Sequence, residues 1–249
     1  MDDSGAAAAG DFFRSMITML VTGFGAFPGV RSNPTLTLLQ MLDRRRPRFA
    51  RLGITLELHA LPVAYARLAA QLAQLIAETK PDAILHFGLA GRRKRITIEY
   101  AARNRANILH PDADGAYPHL TLQKDTPDRL PARAPILQIA SAWRQNNIAG
   151  TTSRDAGDYL CNACLYQSLS HRSLARADIG SVGFIHIPYP RVRCPAGSRA
   201  DKRPSLSHLI TATEIAVIEA ARSVRRAKNA TASTRTQMPF PAEFLQRAS

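Results

Sequence analysis

A cysteine and a histidine lie in segments that suit them for nucleophilic catalysis. Cys161 lies at the start of an apolar, helical run, residues 156–165, where the helix N-terminus favours the thiolate, the nucleophilic form of cysteine. His186 follows in the β-branched run Gly183-Phe-Ile-His-Ile-Pro-Tyr189 and can act as the base that such a nucleophile needs. A third segment, residues 88–99, ends on a glutamate that can orient the histidine. Together these residue types favour an enzyme with a cysteine nucleophile.

Each of the three residues also has a structural interpretation. Free cysteine is among the most buried residue types, a hydrogen-bonded histidine is common in protein cores, and a glutamate on a strand usually faces solvent. Cys161 also forms a Cys-x-x-Cys pair with Cys164. This pair is compatible with a redox dithiol, or with half of a zinc site completed by His186 and Cys194. Its apolar flanks instead favour an amphipathic helix in which Cys164 packs as a small apolar residue.

A glycine-rich turn, Gly23-Phe-Gly-Ala-Phe-Pro-Gly29, follows the first predicted strand. Its spacing is close to that of a dinucleotide-binding fingerprint, but the next helix begins only at Pro34, so the glycines do not lie at a helix N-terminus. Pro28 and the two phenylalanines also obstruct the close approach of a pyrophosphate. The turn is therefore expected either to present Phe24 and Phe27 to a pocket or to bury both in the core.

The composition is typical of a soluble enzyme. The chain has 249 residues, of which 45% are hydrophobic, which suffices for one large α/β domain with a substantial core. Three cysteines cannot form a fully paired disulfide framework, and no run approaches the ~18 apolar residues of a membrane span, so the cytoplasm is the expected compartment. The net charge of +14 is widely dispersed and has few aromatic residues beside it, so nucleic acid is not the expected partner.

Strand and helix patterns alternate along the chain. Asn33 before Pro34 is a typical helix start, and Lys80-Pro81 is a typical helix end. The alternation favours an α/β protein with a mostly parallel sheet that helices cover on both faces. Strands are predicted at residues 17–23, 52–61, 83–87, 148–153 and 181–187, and helices at residues 34–46, 65–79, 135–145, 158–169 and 206–225.

The chain is expected to form a single domain over residues 16–228. Residues 1–15 are low in complexity, which predicts a disordered N-terminal extension, and residues 229–249 are polar and unpatterned, which predicts a flexible C-terminal tail. Residues 110–130 contain Pro, Asp and Gly at close spacing and are expected to form a long surface loop.

Four segments together resemble the signature segments of pyroglutamyl peptidase I, the pyrrolidone-carboxylate peptidases of cysteine peptidase family C15. They are residues 21–35, residues 88–99, the helix start at residues 156–162, and residues 183–189. They occur in the family's order, and the similarity extends over roughly residues 17–225. The resemblance implies a single-domain, three-layer α/β/α sandwich with a mostly parallel, twisted sheet. It also implies a cytosolic exopeptidase that removes an N-terminal pyroglutamyl residue from peptides.

The resemblance also assigns roles to individual residues. By position, Cys161 would be the nucleophile, His186 the general base and acid, and Glu99 the carboxylate that orients the histidine. The sequence departs from the family pattern around the glutamate, where it has Arg92, Ile98 and Tyr100 in place of the family's Gly, Pro and basic residue. These changes surround the third member of the triad and the substrate loop.

The implied substrate is a pyroglutamyl peptide, which has no charged α-amino group, so its pocket should be apolar with a few amide partners. We predict Phe24, Phe27, Tyr159 and Leu160 as substrate-binding residues. A Cys–His–Glu triad that works through an acyl-enzyme needs no metal and no organic cofactor. Two alternatives stay open: a divergent or inactive family member with another amide substrate, and a zinc- or nucleic-acid-binding protein. A homo-oligomer, dimer or tetramer, also stays open.

Overall fold

The computed structural model describes residues 16–27, 29–171, 179–191 and 201–236. The predicted N-terminal extension and the end of the predicted tail, residues 237–249, lie outside these residues. The strands are β1 Ile17–Phe24, β2 Ile54–Leu61, β3 Ala83–Leu89, β4 Ile96–Glu99, β5 Ala101–Arg103, β6 Arg129–Pro131, β7 Gly150–Ser153 and β8 Ser181–Ile187. The helices are α1 Pro34–Asp43, α2 Arg46–Arg51, α3 Tyr65–Thr79, α4 Ile136–Gln145, α5 Leu160–Ser170 and α6 Leu206–Thr236.

A six-stranded sheet with the order β2-β1-β3-β8-β4-β7 forms the centre of the molecule. Neighbouring strands are parallel except β4, which runs antiparallel to β8. The register aligns Gly88 of β3 and Thr97 of β4 with His186 of β8. Strands β5 and β6 form a separate antiparallel pair. The mostly parallel sheet is the one that the sequence pattern predicts.

Helices cover both faces of this sheet. One hydrophobic cluster joins the sheet to α1, α4 and α6, and the other joins it to α3 and α5. Successive residues of β1 show the division, because Met19 and Val21 belong to the first cluster and Leu20 to the second. Such burial on both faces explains why the central strands β1, β3 and β8 are mostly apolar. The predicted three-layer α/β/α sandwich is confirmed.

The helix boundaries follow the local signals in the sequence. The Asn33 side chain accepts a hydrogen bond from the Thr35 N–H at 3.1 Å, and Pro34 occupies the first helical position of α1. Helix α3 ends at Lys80, which adopts a left-handed conformation with φ 44° and is followed by a proline that cannot continue the helix. Both predicted boundaries are confirmed.

Three helices differ from the sequence prediction. Helix α1 ends at Asp43 and not near residue 46. Helix α2 was not predicted, because it has six residues and buries only Phe49, which is too little for a periodic pattern. Helix α6 was predicted to end near Arg225 but continues to Thr236, so residues 229–236, assigned to a flexible tail, are helical. Val224 is the last buried residue of this helix in the part that the structure describes. The described side chains after Val224 are partly or fully exposed, so the sequence shows no amphipathic pattern there.

Candidate active site

Helix α5 brings Cys161 to the carboxyl-terminal edge of the sheet. Cys161 is the second residue of this helix, after the cap residue Tyr159. Its sulfur packs over Gly88 of β3: a Cβ added at Gly88 would lie only 2.7 Å from the Cys161 Sγ. A glycine is therefore needed here, because any side chain would occupy the place of the sulfur.

The sheet register explains why His186 lies in the same corner. Residues that are aligned on neighbouring strands point to the same face of a sheet. Gly88 is aligned with His186, so a side chain at position 88 would lie on the same face of the sheet as the imidazole. The Cys161 sulfur occupies this space beside Gly88. The ring of Phe184 supports this arrangement, with its centroid 4.8 Å from that of the imidazole.

The antiparallel strand β4 places the carboxylate. Thr97 is aligned with His186, and Glu99, two residues further along β4, points to the same face. The His186 Nδ1 and the Glu99 Oε1 are 2.8 Å apart, and the glutamate is fully buried. The second contact of this oxygen is with Arg93, whose Nη1 donates to it at 2.6 Å. The structure therefore brings the imidazole and the carboxylate together as the sequence predicts.

An asparagine next to Cys161 fixes the position of helix α5. The Asn162 Nδ2 donates to the carbonyls of Arg103 and Arg105, each at 2.8 Å, and its Oδ1 accepts from the Arg103 N–H at 2.8 Å. Asn162 is buried, so its hydrogen bonds within the core determine where the neighbouring Cys161 lies.

The electrostatics favour a neutral Cys–His pair in the free enzyme. Burial, with the Glu99 charge as a smaller cause, raises the pKa of Cys161 to about 12, and Arg93 and the Cys161 backbone N–H oppose this. Burial lowers the pKa of His186, although the hydrogen bond and charge of Glu99 raise it. Burial therefore acts against the acidity that the helix N-terminus would give to Cys161.

His86 is a second buried histidine on the same face and has a different setting. Its Nδ1 is 2.6 Å from the Thr22 Oγ1, and its Nε2 is 2.8 Å from the Ser168 Oγ. Burial lowers its pKa to about 3. With both ring nitrogens bonded, His86 is a hydrogen-bonded core residue that supports α5.

The four predicted substrate-binding residues divide into two pairs. Phe24 and Leu160 are 3% and 1% exposed and belong to the hydrophobic cluster under α5. Phe27 and Tyr159 are only partly buried and pack against that cluster. The Tyr159 hydroxyl donates to the Pro111 carbonyl at 3.0 Å, and this bond joins the start of α5 to the long predicted loop. Contact with substrate remains a prediction for all four.

The structure adds three residues that the sequence reasoning did not single out. Gly88 and Arg93 lie in segments quoted for the family resemblance, but only the three-dimensional arrangement shows what they touch. Phe184 reads as an ordinary strand residue in the sequence. The signal that could have found Gly88 is its place at the end of a buried strand, where a glycine often marks a close approach.

The structure tests part of the alternative interpretations of the cysteines, namely a core residue, a redox dithiol and a zinc site. Cys164 is fully buried and belongs to the cluster under α5, which confirms its packing as a small apolar residue. No group of three or more His, Cys, Asp or Glu within the described ranges could hold a metal ion. Cys194 lies outside those ranges. Likewise, none of the helices that the structure describes is long and apolar enough to span a membrane.

Comparisons with known proteins agree with the geometry. A sequence model of the pyroglutamyl peptidase family matches residues 17–224. The pyrrolidone-carboxylate peptidase of Thermococcus litoralis is 34% identical over 176 residues, which are 70% of this chain and 77% of that protein. The crystal structure of pyrrolidone carboxyl peptidase from Thermus thermophilus has a TM-score of 0.69 at 32% identity, and covers 81% of this chain and 99% of that one. The structure from Thermococcus litoralis has a TM-score of 0.71 at 29% identity, covering 91% and 100%.

The fold and the family match together define a cysteine-type peptidase on a three-layer α/β/α sandwich. The chain belongs to the pyroglutamyl peptidase family, because the match extends over most of its length. The resemblance carried by the four sequence segments is thereby confirmed.

Proposed function

We propose that this protein hydrolyses the amide bond after an N-terminal pyroglutamyl residue of peptides, through a Cys161–His186–Glu99 triad and an acyl-enzyme. The observation that carries the proposal is the 2.8 Å contact between His186 and a fully buried carboxylate, beside the glycine that receives the Cys161 sulfur. Family membership supports the same substrate class, since the relatives are named for it.

The proposed reaction has two halves. In the first, His186 takes the Cys161 proton as the sulfur attacks the carbonyl carbon of the pyroglutamyl residue, and it then gives that proton to the leaving amine. In the second, His186 activates a water that attacks the thioester and releases pyroglutamate. Because burial raises the pKa of the free thiol, proton transfer to His186 would occur together with the attack. Glu99 stabilises the imidazolium that forms within each half, after His186 has taken up a proton and before it gives the proton away.

The oxyanion would be bound at the start of α5. The first-turn N–H groups of a helix have no intrahelical acceptor, and in α5 these groups belong to Leu160, Cys161 and Asn162. They surround the nucleophile, and one such donor can supply about 3 kcal/mol of transition-state stabilisation. Leu160 would then contribute through its backbone, while its side chain stays in the core.

The proposed pocket is uncharged where the lactam ring binds. Phe27 and Tyr159 offer partly exposed aromatic surface, and a ring enclosed by aromatic groups binds without a charged partner. We keep the cytoplasm as the proposed compartment, because Cys161 and Cys164 are free thiols and a reducing compartment preserves them.

A fluorogenic pyroglutamyl amide tests this function directly. We expect release of the fluorophore by the wild-type protein, loss of the activity after treatment with iodoacetamide, and no loss with a metal chelator. A second amide with an N-terminal prolyl residue serves as the substrate control, because it has a similar ring but a charged amine. Hydrolysis of the prolyl amide alone would instead favour a divergent family member with another substrate.

Phe27→Ala and Phe24→Ala should have different effects. Phe27 is partly exposed, so its loss should raise KM for pyroglutamyl amides by about ten- to hundredfold with little change in Tm. Phe24 is buried and its ring centroid is 6.4 Å from that of Phe184, so its loss should destabilise the fold by about 3–5 kcal/mol. Thermal unfolding and steady-state kinetics of both variants check this. An unchanged KM in folded Phe27→Ala would remove it from the pocket.

A further inference from the structure

Arg93 contacts both the carboxylate of the proposed triad and the segment that leads to the nucleophile. Its Nη1 donates to the Glu99 Oε1 at 2.6 Å, and its Nη2 donates to the Asp155 carbonyl at 3.0 Å. The guanidinium is planar and presents its N–H groups as a rigid fork, so one arginine can hold two acceptors in a fixed relation. Arg93 therefore joins the strand that ends at Glu99 to the loop between β7 and α5.

The Glu99 carboxylate needs such a partner. It is fully buried, and a buried charge is costly unless it is paired and hydrogen-bonded. The Glu99 Oε1 accepts a hydrogen bond from the Arg93 Nη1 and also contacts the His186 Nδ1. Arg93 therefore fixes the Glu99 oxygen that orients the imidazole of His186. The Arg93 side chain is 30% exposed, so it lies between this carboxylate and the solvent.

The Asp155 carbonyl is itself held in place. The Ser153 Oγ donates to this carbonyl at 3.0 Å and accepts from the Asp155 N–H at 3.0 Å. The Asp155 carboxylate then accepts from the Gly157 N–H at 3.0 Å, at a glycine with φ 82°. This turn is short and internally bonded, and α5 starts three residues after Gly157. A contact with Asp155 therefore constrains the approach to Cys161.

We propose that Arg93 is a positioning residue for peptide hydrolysis, which holds the Glu99 carboxylate on His186 and fixes this pair relative to the loop that leads to Cys161. The proposal rests on the proposed triad. In this proposal Arg93 acts through Glu99 and through the loop between β7 and α5, and it does not contact the substrate.

The test compares three variants in the pyroglutamyl amide assay: Arg93→Gln, Arg93→Lys and the control Arg92→Gln. Arg92 is exposed and lies one residue away, so its replacement removes the same charge from the same loop. We expect Arg93→Gln to lower kcat about ten- to hundredfold, the range that a hydrogen bond to a buried charged group supplies. Arg92→Gln should keep the wild-type kcat.

The pH profile provides a readout that a merely structural role would not move. The charged groups that act on His186 are Glu99 of β4 and Arg93 of the loop before it, and Arg93 lowers the pKa of the imidazole. Without this cation the imidazolium is more stable, so the acid limb of kcat/KM should move to higher pH in Arg93→Gln. Arg93→Lys keeps the charge but has a single nitrogen in place of the rigid fork, so it cannot hold the two acceptors in the same fixed relation. Its acid limb should stay in place while kcat still falls.

The outcomes separate this proposal from the proposed function. Equal kcat and equal pH profiles for Arg93→Gln and Arg92→Gln would overturn the positioning role. Wild-type kcat in Arg93→Lys would overturn it as well. If Arg93→Gln does not fold, the Arg93→Lys variant still provides the test. If the wild-type protein cleaves no pyroglutamyl amide, the proposed function fails. The effect of Arg93 on His186 is then measured by NMR titration of the imidazole in Arg93→Gln against Arg92→Gln, where an unchanged midpoint overturns the proposal.

Discussion

Cys161→Ala should abolish hydrolysis of pyroglutamyl amides and leave the fold intact. Removal of a catalytic nucleophile in this type of enzyme lowers kcat by about 10⁴–10⁶-fold, because the remaining binding groups cannot form the covalent intermediate. The fold should persist because the Cys161 sulfur packs against a glycine, where the smaller side chain of alanine fits without a clash. Steady-state kinetics, with Tm measured alongside, check both parts.

The matched control is Cys164→Ala, one helical turn further along α5. Cys164 is fully buried in the hydrophobic cluster, so this variant should lose about 1 kcal/mol of stability and keep its activity. Retention of more than a few per cent of activity in Cys161→Ala would contradict the assignment of the nucleophile. Equal loss in Cys164→Ala would reopen the dithiol and metal readings of the Cys-x-x-Cys pair.

The sequence predicts the layers of this molecule well, because the core pattern is strong. Strand β8 and helix α3 have the bounds that periodicity gives, since each buries a continuous run or a regular stripe of apolar residues. Where burial stops, prediction fails. The end of α6 carries no buried residues among those described after Val224, and the short strands β5 and β6 have three residues each, too few for a period.

In the candidate site too, the sequence predicts the features that depend on local setting and misses those that depend on the fold. Residue types and helix position suffice to nominate Cys161 and His186, because nucleophile and base have recognisable local settings. The state of the thiol does not follow from the local setting, since the helix N-terminus alone predicts an acidic cysteine, whereas burial in the folded protein raises its pKa. Gly88 is aligned with His186 only through the strand order β3-β8, and no local pattern contains that pairing.

Glu99→Gln should keep the protein folded and able to bind substrate, while kcat falls by ~10²–10⁴-fold. The reason is that a neutral amide cannot stabilise the imidazolium that forms during the reaction, even if it keeps the 2.8 Å contact with the His186 Nδ1. Glu99 also raises the pKa of His186. Its replacement should therefore lower that pKa further and move the acid limb of kcat/KM to lower pH.

The direction of this shift is opposite to the one expected for Arg93→Gln, so the two variants together test the charge relation around His186. A structural ion pair between Arg93 and Glu99 would give a different result: both variants would lose stability, and neither would move the acid limb. Full kcat and an unshifted pH profile in Glu99→Gln would mean that the enzyme works as a Cys–His dyad. In that case the buried carboxylate, with Arg93 at 2.6 Å from its Oε1, would hold β4 in place without a part in proton transfer.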